Sequence, residues 1–275
     1  MYFYRNPARA DSCFREGLAV AKNVVLLQTV PTPILCNFLY EYSTFKANYG
    51  SLAEANALLE ESVTCYQHLS KDVAGHYTLL QSRNLLILGN LHLLNNDPQK
   101  ALSAHRKSVQ TNSEDAPTEK ATKLQIRHLF DLMAADETDS LVSGLDQLLA
   151  DTSFDIFNYP TIYHFGQYLL AADNLGKAKK CFRYLNGYYQ ALLDKGTASI
   201  LFGNLHTHIM SALTAASAAQ AAIRLYARAK DDARRKEALD LLDAAEKSLR
   251  NVPKSTPGRA MVAVKIAEVR AELKN

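Results

Sequence analysis

At 275 residues the chain is long enough for one or two globular domains or for a single elongated stack of helices. An apolar share of 48 % supports a continuous core, and 21 % charged residues suits a solvated surface. A net charge of +3, spread over scattered basic residues, excludes the concentrated basic stripe of a nucleic-acid binder.

The first residues, Met1 to Pro7, lack the basic start, apolar run and small-residue cleavage site of a secretory signal. Apolar residues then recur at three- and four-residue spacing almost everywhere, and strand signals are nearly absent. A first helix carries Ala10, Phe14 and Gly17. After the turn Asn48-Tyr49-Gly50-Ser51, the stretch from Ala53 to Tyr66 reads as an amphipathic helix with Leu52, Ala55, Leu58, Leu59, Ser62 and Val63 on one face.

A helical hairpin follows: Leu85, Leu88, Gly89 and His92, the turn Asn95-Asn96-Asp97-Pro98, then Ala101, His105 and Ser108. A second copy has Phe165, Gly166 and Leu169, the turn Asp173-Asn174-Leu175-Gly176, then Ala178, Phe182 and Leu185. In both, the glycine stands 12 residues before the alanine. Between them, Ser143 is read as the degenerate counterpart of Ala101, and residues 151–160 as a loop or hinge. Gly203-Asn204-Leu205-His206 repeats Gly89-Asn90-Leu91-His92, but the next alanine-led helix, at Ala238, is displaced. The breaker-poor run Ser211 to Lys230 favours one long helix as the cause. Residues 258–274 are expected to form a capping helix with Lys265, Glu268, Arg270 and Glu272 toward water.

Self-similarity at this scale marks a stacked repeat. The arrangement resembles the tetratricopeptide repeat. In that family a small residue late in the first helix of each hairpin (Ser43, Gly89, Gly166) permits close packing, a small residue opens the second (Ala55, Ala101, Ala178, Ala238), and a bulkier one follows four later (Leu59, His105, Phe182, Leu242). Two helices approach closely only where one side chain is small, and the larger neighbour fills the groove. Ala10 to Ala55 is 45 residues and Ala55 to Ala101 is 46, so the repeat is similar to the long subtype of bacterial peptide-sensing regulators. The resemblance implies an all-α right-handed superhelix, a single solenoid over residues 1–275. Because Ala10 has the role of a second helix, the chain is read as starting in mid-repeat.

The chemistry-bearing residues argue for binding. Cys13, Cys36, Cys65 and Cys181 form no Cys-x-x-Cys pair and are read as free thiols buried in a reducing cytosol. His206 and His208 stand two apart, so their side chains diverge along a helix, and no metal site is expected. No nucleophile elbow, phosphate loop or zinc-protease motif occurs, and neither an enzyme activity nor a cofactor is expected. No stretch is apolar for long enough to span a bilayer.

In a superhelix of this kind the first helices of the hairpins line the concave groove. Asn37, Tyr40 and Thr44, then Arg83 and Asn90, then Tyr163 and Gln167, then Asn204 are expected there. Amides bond a peptide backbone as donor and acceptor, tyrosine offers rigid amphipathic contact, and arginine pairs with carboxylates. The expected function is a cytoplasmic, non-enzymatic scaffold for a partner helix or extended peptide within a larger complex, with the nucleus open to a eukaryotic chain. The alternative is a ligand- or peptide-sensing segment of a signalling or transcriptional regulator.

Overall fold

A computed structural model describes residues 6–28, 31–69, 76–111, 117–150, 159–196 and 203–273. Among them the chain is all-helical, with twelve α-helices, one 3-10 turn over Tyr159–Thr161 and no strand. The helices divide between two compact units, Met1–Asp115 and Ala116–Asn275.

The first unit holds α1 (Pro7–Gln28), α2 (Pro33–Tyr49), α3 (Leu52–Leu69), α4 (His76–Leu94) and α5 (Pro98–Gln110), each packed on its neighbour in the chain. Local chemistry sets the starts. Thr32 accepts the Leu35 N–H at 3.3 Å ahead of Pro33, and Asp97 accepts the Lys100 N–H at 3.1 Å ahead of Pro98. These side chains satisfy N–H groups that have no partner within the helix, and proline lacks the N–H that would be left over. Phe14 on α1 meets Phe38, Tyr42 and Phe45 of α2, and Ala10 is buried beneath them. Asp11 ties the same two helices electrostatically. Burial would raise its carboxyl, but hydrogen bonds from Lys46, Arg15 and Tyr42 outweigh that and hold it at about 2.

The hairpin α4–α5 closes on its small residue. A Cβ built on Gly89 would lie 2.0 Å from Cδ2 of His105, so only glycine admits that ring. The ring is fully buried, and its Nε2–H donates to the Leu86 carbonyl at 3.0 Å. Ala55 and Ala101 are likewise completely buried.

The second unit holds α6 (Pro117–Ala134), α7 (Thr138–Leu148), α8 (Ile162–Ala171), α9 (Leu175–Asp194), α10 (Asn204–Ala229), α11 (Asp232–Arg250) and α12 (Arg259–Glu272). Gly166 of α8 faces Phe182 of α9 as Gly89 faces His105, with the built Cβ at 2.7 Å from the ring. One turn is used three times, joining α4 to α5, α6 to α7 and α8 to α9. Asn96, Asp136 and Asp173 take φ of 59°, 59° and 64°. Asp97, Glu137 and Asn174 donate back to the carbonyls of His92, Leu132 and Leu169 at 2.9, 3.0 and 2.8 Å. This closure satisfies the last helical carbonyls, and asparagine and aspartate tolerate its left-handed position better than most side chains.

α10 is the 26-residue helix expected from the breaker-poor run. Every residue from Ile209 to Ile223 is buried, because its alanines, serines and threonines let α9, α11 and α12 close on it from different sides. Its buried hydroxyls are satisfied: Ser211 Oγ accepts from Asn186 at 2.9 Å and from Gln190 at 2.7 Å, and lies 3.4 Å from Ser248 Oγ.

Several readings change. Ser143 is exposed, and the slot of Ala101 is taken by the fully buried Leu141, whose N–H bonds the Glu137 carbonyl as Ala101 bonds Asp97. The small partner has moved to the other helix: Gly144 of α7 accommodates Leu129 of α6. Residues 151–158 of the expected hinge lie outside the described residues, and Tyr159 at its end is buried edge-on against Tyr184 and Tyr188. The lysines of α9 reach other helices: Lys177 and Lys180 hold Asp146 at 2.5 and 2.8 Å, and Lys179 holds Glu237 at 2.7 Å. On α12, Lys265 is not turned simply to water but donates to Gln220 of α10 at 2.6 Å.

Candidate functional site

The eight residues expected to line a groove fall five in the first unit and three in the second. On α2, Asn37, Tyr40 and Thr44 share one face, as positions three and seven apart must. Asn37 is exposed and accepts the Tyr66 hydroxyl at 2.6 Å. Thr44 is bound to its own helix through the Tyr40 carbonyl at 3.0 Å. Burial, then the Glu41 charge, raises the Tyr40 phenol, and the nearby Arg83 guanidinium pulls it back. Asn90, by contrast, is only 7 % exposed, and its Oδ1 has no hydrogen bond.

In the second unit, Tyr163 is packed into the core against Phe182, with ring centroids 5.6 Å apart, and bonds Ser217 and Gln167. Gln167 is half-buried, its side chain engaged by that tyrosine, while Asn204 is exposed at the first position of α10.

A cleft of about 530 Å³ lies on a different side of α4, between α3 and α5. Its residues follow helical spacing: Glu60, Thr64 and Gln67 on α3; Gln81, Leu85, Leu88 and His92 on α4; Lys100, Ser103, Lys107 and Gln110 on α5. Two buried hydrogen bonds aim this floor. Asn84 reaches across to Ser62 of α3 at 3.0 Å, and Ser82 reaches the Ser108 carbonyl of α5 at 2.8 Å. The direction midway between these two arms is that of Gln81, Leu85, Leu88 and His92. At about 100° per residue, Arg83 and Asn90 point the opposite way.

His92 is the one buried polar group at the foot of this cleft, 4 % exposed. Burial lowers its pKa, against the pull of Glu60 and Asp97. The Asn56 amide donates to Nδ1 at 3.4 Å, which leaves the ring hydrogen on Nε2, 3.6 Å from a Glu60 oxygen. Nothing in the sequence pattern separates Leu85 and Leu88 from core leucines; the signal was the polar set at positions 81, 92, 100, 103 and 107 around them.

The cysteine reading is corrected. Cys36 and Cys65 are joined by a disulfide between α2 and α3, with their Cα atoms 5.4 Å apart, whereas Cys13 is exposed and Cys181 is a buried free thiol pushed up to about 12 by burial. Among the described residues no group of three His, Cys, Asp or Glu side chains is placed to hold a metal ion, and no helix is long and apolar enough to cross a membrane. Comparison with known proteins finds no family model, curated protein or solved structure that matches the chain.

Proposed function

We propose that this chain is a non-enzymatic interaction scaffold of tetratricopeptide-like hairpins, coiled as a right-handed solenoid, that holds a peptide segment of a partner protein within a larger complex. The observation that carries the reading is the cleft on α3–α5, with Leu85 and Leu88 between polar walls on three helices tied by the Asn84–Ser62 and Ser82–Ser108 hydrogen bonds. The glycine-to-ring closures at Gly89 and Gly166 and the turn used three times support the hairpin family. Neither nucleic-acid binding nor membrane insertion is part of the proposal.

The cytoplasmic expectation took all four cysteines as free thiols, and the Cys36–Cys65 bond argues for an oxidising compartment. Alkylation of the native protein before reduction, read by mass, decides between them: a labelled pair favours the cytoplasm.

Selection of a displayed random-peptide library on the purified chain tests the function. Enriched sequences with a shared pattern and micromolar affinity are expected. Recovery of no specific binder from libraries of extended and helical peptides would end the scaffold reading.

A further inference from the structure

The two walls of the cleft carry opposite charge. On the α5 wall, Lys100 and Lys107 are exposed, and Lys100 is shared with Asp97 at 3.5 Å. On the α3 wall stands the exposed Glu60, with a carboxylate oxygen 3.6 Å from Nε2 of the buried His92. An occupant with carboxylates is drawn to α5 and turned away from α3, so the site has a fixed sidedness.

Shape narrows the occupant further. Seven residues of α5 separate the lysines, about 10.5 Å along the axis at 1.5 Å per residue. A polyproline-II segment rises about 9.3 Å over three residues and brings positions three apart back to one face, which an alternating β-strand does not. The cleft of about 530 Å³ takes an extended segment of a few residues along its length. The amides of Gln81 and Gln110 offer both donors and acceptors, which match an extended backbone with unpaired N–H and C=O groups and find no such partners along a helix. Leu85 and Leu88 supply a floor for one apolar side chain between the charged ends.

We propose that the α3–α5 cleft binds an extended acidic peptide segment of a partner protein, with two carboxylates three positions apart on Lys100 and Lys107 and an apolar side chain between them on Leu85 and Leu88. The proposal rests on the scaffold reading and adds its site and ligand class. Arg83 and Asn90, on the other side of α4, take no part.

The test is fluorescence anisotropy on the full chain with a labelled peptide carrying aspartate at its second and fifth positions and leucine between. Binding is expected to weaken at least about tenfold when Lys100→Glu and Lys107→Glu are combined, with an unchanged melting curve, since both side chains lie outside the core. The same peptide with lysine in place of both aspartates is expected to bind the doubly substituted chain and not the native one. Arg83→Ala with Asn90→Ala leaves binding unchanged. Lys107→Ala alone, which adds no negative charge, is expected to give a smaller loss in the same direction. Equal affinity for a peptide with its aspartates adjacent would overturn the spacing argument, and indifference to the charge reversal would overturn the site. If library peptides bind but lack acidic pairs, the cleft assignment falls and the scaffold reading stands; if none binds, both fall.

Discussion

The two units solve the same packing problem with opposite materials. In the first, α4 is buried from Asn84 to Leu94 but carries large leucines along that run, and the gap between α3 and α5 over α4 remains open as a cleft. In the second, α10 has small residues almost all round, so three helices reach it and large rings from α9 and the Tyr159 turn fill what is left. The helices α3 and α5 beside α4 each bury one face and leave polar flanks that can bind something else, whereas α10, buried from Ile209 to Ile223 with a helix on each side, has none to offer. The second unit is thus read as the better-filled body and the first as the one with a surface to use.

Acid should separate them most strongly. His164 of α8 is 7 % exposed, and burial lowers its pKa to about 4 from an ordinary value near 6.5. The folded state favours the neutral ring, so this stability is complete above about pH 6.5 and is lost as pH falls toward 4. The full difference is about 3 kcal/mol. Hydrogen exchange corrected for its intrinsic pH dependence is expected to quicken in α8 and α9 across that window. His164→Gln should abolish the step. A step of equal size in α4, where Glu60 and Asp97 offset the burial of His92, would erase the contrast.

The glycines at the hairpin closures come next. Gly89→Ala and Gly166→Ala put a methyl group into a buried ring in each unit, and overpacking of that kind costs about 1–3 kcal/mol even though alanine favours the helix. Gly89 is the more severe because its ring is also held by a hydrogen bond to Leu86. Denaturant melts of the two variants give the order directly, and a stabilised Gly89→Ala would mean that His105 has room to turn.

These closures were legible because the chain shows them twice at the same spacing, small residue and bulky residue together. The α6–α7 hairpin was misread for the converse reason. There Leu141 holds the alanine slot and Gly144 gives way to Leu129, so the complementarity survives while the residue pattern inverts. Packing constrains the sum of two facing volumes, not which helix carries the smaller one. The disulfide was hidden likewise: Cys36 and Cys65 lie 29 residues apart, and only the pairing of α2 with α3 brings them together. Asn90 was expected in the groove as a polar residue on the first helix of its hairpin, and its neighbours bury it.

A smaller effect tests the first unit alone. Asp11 is held at about 2, so its contribution is present above about pH 4 and fades as pH falls through 2, well below the window of His164. Its side chain is 14 % exposed, and solvent screening leaves about 1 kcal/mol for the contact with Lys46. Asp11→Asn is expected to loosen α1 from α2 by that amount at pH 7, seen as faster exchange in α1, and to flatten its response below pH 4.

The smallest prediction is the control that gives the closures their meaning. Gly176 lies in the first turn of α9, and a Cβ built there meets nothing within 4 Å. Gly176→Ala should therefore show the helix preference of alanine with no clash set against it, a gain of under about 1 kcal/mol. Gly166→Ala, ten residues earlier and across the same hairpin, differs from it chiefly in facing Phe182. The difference between the two measured shifts then isolates the cost of crowding that ring. If the two variants changed stability alike, the small-against-large account of how these helices pair would lose its physical basis in both units.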